Sequence, residues 1–319
     1  MASPAAPVPF ALASMQRRAM GSVLVAIAIL TMMDAGIKLM TGTFGTPQIL
    51  VMRYSAGFLV AFLVFLGLLI FGHVGLPTWR SLVRSLQRSM IVTIVAFCFF
   101  YALSVIPLAD ATAIAFTAPL YLALLGWVIL KEPVDGKTWI AILIGLAGVG
   151  VISSSAFTNG FSGALSGYIA AAVASFAYAM ALVLTRLHAA SDPVPTMIML
   201  QSGFSALLAL PLLGLTLAGL AIDDRPFVAL NAGWLWLALG IGFLGTVGHL
   251  FMTYGFKHAP AAKLGPMEYT SLLWAGFYGF VFFAEVPGLR LILGSALIVV
   301  GTWIVMRKEK DTGTVVDAV

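Results

Sequence analysis

The chain is a succession of long apolar runs separated by short polar turns. Ten runs stand at about 20–40, 47–71, 89–106, 111–130, 138–155, 165–187, 195–219, 233–256, 262–284 and 289–306. Most are close to the ~20 residues that a helix needs to cross the hydrocarbon core of a bilayer. Several turns carry Pro or Gly, as at 41–46, Pro107, Glu132-Pro133, Asp192-Pro193 and the stretch from Glu285 to Pro287. The longest polar stretch, 73–89, reads as a loop. The pattern predicts an all-α polytopic membrane protein with ten transmembrane helices.

The pattern is also written twice. Residues 101–152 lie on 254–305 at a constant offset and without a gap. The shared positions are Tyr101/Tyr254, Pro107/Pro260, Ala109/Ala262, Thr117/Thr270, Leu120/Leu273, Gly126/Gly279, Val128/Val281, Glu132/Glu285 and Gly148/Gly301. Each copy holds the last three of five runs. Gly21/Gly167, Pro47/Pro193, Gly57/Gly203 and Phe58/Phe204 extend the match more weakly to the first two. An odd number of spans per copy makes the second copy enter the membrane upside down. The expectation is two inverted five-helix repeats, 20–156 and 157–306, around a central cavity, with cytoplasmic tails at 1–19 and 307–319. Inverted repeats place a transported solute near the midplane between the halves.

Composition narrows the class. The chain has 319 residues, of which 61% are hydrophobic and 9% charged. That leaves no room for a soluble catalytic domain. The net charge of +5 reflects loop lysines and arginines rather than a nucleic-acid surface. Arg17, Arg18, Arg80, Arg84, Arg88, Lys131, Lys137, Arg186, Lys257, Lys263, Arg307, Lys308 and Lys310 fall on one side, and Arg225 and Arg290 on the other. This bias places both termini in the cytoplasm, in a cytoplasmic (inner) membrane. The start, 1–14, is uncharged and rich in Pro and Ala; its basic residues follow rather than precede the apolar stretch, unlike a secretory signal. Cys98 is the single cysteine and reads as a small buried hydrophobe.

Taken in order and spacing, several stretches resemble the drug/metabolite transporter superfamily, of the EamA type. They are Asp34 to Lys38, Pro47 to Tyr54 with Arg53, Pro107 through Glu132-Pro133, Gly248-His249, Ala259-Pro260-Ala261, and Pro266 through Trp274-Ala275 to Glu285 and Pro287. The resemblance covers nearly the whole chain. It implies a ten-helix basket whose third, fourth, eighth and ninth helices face a central cavity, with the fifth and tenth outside. It also implies alternating access for small organic solutes without ATP, and leaves the cargo open.

Ionisable groups at membrane depth are costly unless paired or hydrated, so each is a candidate. Asp34 and Lys38 stand four apart on the first span, and Arg53 early on the second. The repeat puts Met180, Leu184 and Met199 at these positions, so the trio belongs to one half. Two readings stay open: charges locking spans one and two together, or a gate in which Arg53 meets a substrate carboxylate. Glu268, near the start of span nine, either binds an ammonium group or titrates, or else pairs with Lys263 or reaches the interface. His249, mid-span eight, either serves the substrate or makes a structural hydrogen bond. Glu132 and Glu285 oppose the dipole of the helix ends they follow, which points to a structural hydrogen bond with a neighbouring helix end.

The aromatic candidates for the cavity wall are Phe97, Tyr101, Tyr121, Tyr254, Tyr269 and Trp274, with Thr112 and Thr117 as polar points in span four. Aromatic walls suit a cargo with an apolar body, and they also hold cations. Pro119 in span four and Pro211 in span seven read as kinks or hinges. Gly145, Gly148, Gly240, Gly245 and Gly248 read as sites of close helix contact. The sequence has no phosphate-cradling Gly–Lys loop, no metal-ligand cluster and no nucleophile elbow. It predicts no cofactor, no bound metal and no ATP.

The sequence therefore reads as a secondary transporter, not an enzyme, with a small-molecule substrate and the lipid bilayer as partners. Export of amphipathic metabolites leads, with amino acids, aromatic and apolar ones included, as the first class. The alternative is uptake or exchange of a larger ring-bearing solute, a flavin or nucleoside-like metabolite. An intramembrane enzyme is remote, and would require Asp34, His249 and Glu268 to converge. Oligomeric state does not follow from the residues.

Overall fold

The computed structural model describes residues 9–106, 114–152, 165–189, 191–219, 227–284 and 288–306. Among them stand α1 (Pro9–Thr41), α2 (Thr46–Ile70), α3 (Trp79–Val105), α4 (Ala118–Ile129), α5 (Gly136–Ile152) and α6 (Leu165–Ala189). There follow α7 (Val194–Leu217), α8 (Ala232–His258), α9 (Ala261–Leu264), a 3-10 turn at Gly265–Thr270, α10 (Ser271–Phe283) and α11 (Leu289–Met306). No strand occurs among the described residues. Six helices, α1–α3 and α6–α8, are long and apolar enough to cross a membrane, and α4, α5 and α11 carry shorter apolar stretches. The outer surface is apolar: Leu63, Ile70, Trp127, Leu143, Trp236, Phe243 and Ile292 are all exposed. Lipid, not water, suits such a surface. This is a multi-pass membrane protein.

The polar stretch read as a loop is largely helical. Thr78 caps α3, its Oγ1 accepting from the Ser81 N–H at 3.2 Å, and the helix runs on from Trp79. A hydroxyl at the N-cap satisfies a donor that would otherwise have no partner. Arg84 and Arg88 thus ride on α3, and Arg88 is buried. Asp135 caps α5 in the same way, accepting from the Thr138 N–H at 2.8 Å. Partial burial pushes its carboxyl up, but the Thr138 bonds and the nearby Lys263 and Lys137 outweigh this and hold it below the ordinary carboxylate range.

The helices pair across the chain. α1 lies on α8, α3 on α6, α2 on α7 and α5 on α11; α2 also meets α8, α3 meets α7, α4 meets α6, and α10 meets α1. Two glycines set the α5–α11 approach. A Cβ on Gly148 would come within 2.7 Å of the Gly294 carbonyl, and one on Gly301 within 3.0 Å of the Ala141 carbonyl. Backbones this close admit only a residue without a side chain.

Spans four and nine are interrupted rather than continuous. In span nine the chain passes from α9 through the 3-10 turn into α10. In span four, α4 begins at Ala118, so Pro119 sits in the first helical turn and not mid-helix. Both α4 and α10 end in a left-handed residue, Lys131 and Ala284, each with φ of 54°. The Glu132 and Ala284 N–H groups reach back to Gly126 O and Gly279 O. This reversal turns the chain sharply after each helix.

Candidate functional site

Asp34 on α1, Arg53 on α2, Tyr178 on α6, His249 on α8 and Glu268 in the 3-10 turn bring polar groups into the apolar bundle. The Tyr178 hydroxyl donates to Glu268 Oε2 at 3.1 Å. Tyr178 also lies in the fields of Asp34 and Arg53. Arg53 acts on Asp34, and Arg53 and Arg88 act on His249. Asp34 is exposed although Met33 and Ile37 beside it are buried. Met32 and Leu39 carry the outward face of α1. Asp34 thus keeps solvent access on the inward face of α1, and electrostatics link it through Arg53 to Tyr178 and His249. Asp34 and Arg53 do not make the close contact seen for Arg186 and Glu132, and α1 and α2 meet only sparsely.

The interruption of span nine positions Glu268. Pro266 lacks an N–H and cannot continue an α-helical ladder, so the chain tightens into 3-10 geometry. Freed carbonyls are met locally, Met267 O by Thr270 Oγ1 at 2.7 Å and Glu268 O by Ser271 Oγ at 2.7 Å. Glu268 takes Tyr178 as its hydrogen-bond partner rather than Lys263. Its Oε1 is buried without a hydrogen bond. Span four is repaired differently. Pro119 deprives the Ala115 carbonyl of its helical donor, and Ser175 Oγ on α6 supplies one at 3.2 Å. Thr117 Oγ1 donates to Ile114 O at 2.6 Å and lies 3.0 Å from Ser175 Oγ.

The other sequence candidates are dispersed. Tyr121 packs edge-on against Phe176 at 5.6 Å, and Tyr121, Tyr178 and Trp274 line one apolar cluster. Trp274 stacks on Tyr278 at 6.1 Å, and Tyr278 donates to Ala28 O on α1 at 3.1 Å. Tyr101 meets Ser166 at the start of α6, hydroxyl to hydroxyl at 3.0 Å, and Phe97 is half-buried on α3. Tyr254 belongs to the exposed stripe of α8 with Trp236, Phe243 and Phe251, on the helix face opposite His249. Tyr269 turns away from the polar groups and packs among Val149, Ile298 and Phe116. Its ring fills the notch at Gly145, where a Cβ would come within 2.2 Å of it. Lys38 is exposed on α1, and Pro211 lies on an exposed face of α7. Thr112 falls outside the described residues.

Two residues escaped the sequence reading. Tyr178 carries no charge and sits in an alanine-rich run, so only its lone phenol in mid-span marked it. Arg88 was counted with the loop cations. It donates instead to Gln201 Oε1 at 2.5 Å and to Met197 O at 2.6 Å, binding α3 to α7.

A charged clasp ties several helix ends together at one end of the bundle. Glu132 Oε1 accepts from Arg186 Nε at 2.9 Å, and Oε2 accepts from the Ala261 N–H at 2.8 Å. Arg186 also donates to Phe256 O at 2.9 Å and Lys257 O at 2.6 Å. The carboxylate sits at the N-terminus of α9 and the guanidinium at the C-terminus of α8, each where the helix dipole favours it. The job expected of Glu132 at a neighbouring helix end is thus seen; Glu285 lies outside the described residues. Nearby, Ser81 donates to Asp192 at 2.7 Å and Arg84 lies 3.6 Å from it, joining α3 to the start of α7.

The description of the EamA-like transporter family matches the chain twice, over residues 17–154 and again over 165–307. The chain belongs to the EamA-like transporter family. Its curated relatives in the drug/metabolite transporter superfamily are named as transporters. An uncharacterised transporter of Helicobacter pylori is 35% identical over 207 residues, covering 63% of this chain and 65% of that one. The chain thus matches somewhat under two thirds of that relative's length. The pseudopaline exporter CntI of Pseudomonas aeruginosa is 25% identical and covers 88% of this chain and 93% of its own. An S-adenosylmethionine uptake transporter of Rickettsia prowazekii is 22% identical over 81% of both. A solved crystal structure aligns with a TM-score of 0.73 at 23% identity, over 90% of this chain and 97% of that one, and speaks to the fold alone.

Proposed function

We propose that this EamA-like protein is a secondary transporter of the cytoplasmic membrane that exports small amphipathic, amino-acid-like metabolites by alternating access. The observation that carries the reading is the set of polar groups Asp34, Arg53, Tyr178, His249 and Glu268, electrostatically or hydrogen-bond coupled in an otherwise apolar bundle. Charges of both signs there suit a zwitterion, and the aromatic groups Tyr121, Trp274 and Tyr278 suit an apolar side chain. Membership in a transporter family weighs against an intramembrane enzyme.

The frame belongs to the proposal: ten helices in two inverted five-helix repeats. Three observations support it. The family description matches each half. Exchanging every span with its repeat partner turns the α1–α8 pairing into α6–α3, α2–α8 into α7–α3 and α4–α6 into α10–α1. The pairings α2–α7 and α5–α11 are left in place. The two left-handed helix ends, Lys131 and Ala284, are partners in the same repeat. The bias of the loop cations supports a cytoplasmic position for both termini. On that placement the Glu132–Arg186 clasp lies at the cytoplasmic end.

A second reading, uptake or exchange of a flavin or nucleoside-like solute, draws on the Trp274–Tyr278 stack, which suits a flat ring. The relative named for S-adenosylmethionine uptake supports it as well. The deciding experiment is transport into proteoliposomes of a labelled amino-acid mixture, with and without a pH gradient. Saturable movement of apolar amino acids is the expected outcome, and gradient dependence assigns proton coupling to the interior carboxyls or His249. Movement of ring-bearing solutes alone, from folded protein, selects the second reading.

A further inference from the structure

We infer that Glu268, held by Tyr178, is the receptor for the ammonium group of the cargo, and that this contact rather than a carboxylate contact at Arg53 selects it. The inference rests on the reading of these polar groups as an amino-acid-like site and names the pole that is recognised.

The argument is one of unanswered charge. Arg53 has a countercharge within its field in Asp34, and its guanidinium lies 5.1 Å over the Tyr54 ring. Glu268 has only the neutral Tyr178 hydroxyl, and no cation is among the groups acting on it in the described residues. Its Oε1 is buried without any donor. A carboxylate in a low-dielectric interior with one neutral donor lacks the countercharge that makes such burial tolerable. An ammonium group brings that charge together with three donors. Tyr178, whose hydroxyl meets Glu268, gives a cation there an aromatic neighbour. Arg53 and Arg88, whose fields both reach His249, oppose a cation on that side. The cargo's positive end is therefore directed to Glu268 and its carboxylate toward Arg53 and His249. Glu268 as a whole is half-buried, so rotation of its carboxyl brings Oε1 to the open side.

The test separates the poles with three related compounds, L-phenylalanine, 2-phenylethylamine without the carboxylate, and 3-phenylpropionate without the amine. Binding is read as a melting shift of purified protein, and transport as inhibition of labelled phenylalanine counterflow. The amine should bind and compete, and the acid should be at least tenfold weaker. Glu268→Gln should abolish the response to the amine, Glu268→Asp should retain part of it, and Tyr178→Phe should weaken it about five- to tenfold. An acid that competes as well as the amine, or an amine response unchanged in Glu268→Gln, overturns the inference while leaving amino-acid transport standing. If Glu268→Gln does not fold, the wild-type panel and Tyr178→Phe still decide. Folded wild-type protein that responds to none of the three overturns both this inference and the reading beneath it.

Discussion

At the scale of single residues, the structure turns on a few positions where backbone or volume leaves no choice. Lys131 holds φ at 54°, a conformation that costs a residue with a Cβ roughly 1–2 kcal/mol. Lys131→Gly relieves that strain but gives the unfolded chain more freedom, worth about 0.4–1 kcal/mol. The expected net is a gain of up to about 1.6 kcal/mol, seen as a higher melting temperature in detergent. Gly145 is the opposite case. A methyl there meets the Tyr269 ring within 2.2 Å, so Gly145→Ala forces a packed aromatic to move, at about 1–3 kcal/mol. The Gly145→Ala, Tyr269→Leu double variant should recover part of that loss, and additive losses in the cycle would show that the two do not share a notch.

At the scale of elements, helix ends and helix breaks carry the specificity. Glu132 joins the end of α4 to α6 and to the start of α9, and Arg186 ties α6 to the end of α8. Glu132→Gln keeps a side chain able to accept from the Ala261 N–H but removes the ion pair. The expected outcome is a looser end of the bundle with little change in fold. A cysteine placed at buried Leu264 beside the clasp, in a Cys98→Ser background, should react faster with a thiol reagent in Glu132→Gln. Unchanged labelling would mean that the clasp does not control access there. The break in span nine works in the same way: Pro266 and the 3-10 turn carry Glu268 to the partner it has in Tyr178. The helix-period pattern announced an apolar run at 262–284 but not where it would break, because the break depends on donors offered by neighbouring helices.

At the scale of the whole molecule, the proposed inverted frame makes a prediction about topology. Cysteines placed singly near Gln16 and near Arg307 should both be shielded in intact cells and labelled after permeabilisation, and a cysteine near Gly75 should behave alike. One near Gly288 should be accessible from outside. Opposite accessibility of the two ends of the chain would dismantle the five-plus-five arrangement, because an even number of spans returns the chain to the side it left.

The sequence by itself determined the class of molecule: apolar runs of membrane length force a helical polytopic fold, because unpaired backbone is intolerable in lipid. It also carried the repeat at 101–152 and 254–305, and it marked Asp34, Arg53, His249 and Glu268 as candidates, since charge at membrane depth is costly. Only the tertiary structure decided which of these groups meet. Tyr178 became a partner of Glu268 because α6 packs against α4 and α8, a contact between residues 90 positions apart that no local pattern encodes. Tyr269 packs against Val149 and Ile298, and Tyr254 lies on the exposed face of α8, for a related reason. The periodicity of a helix tells which residues share a face, but the neighbour that each face receives is settled by packing.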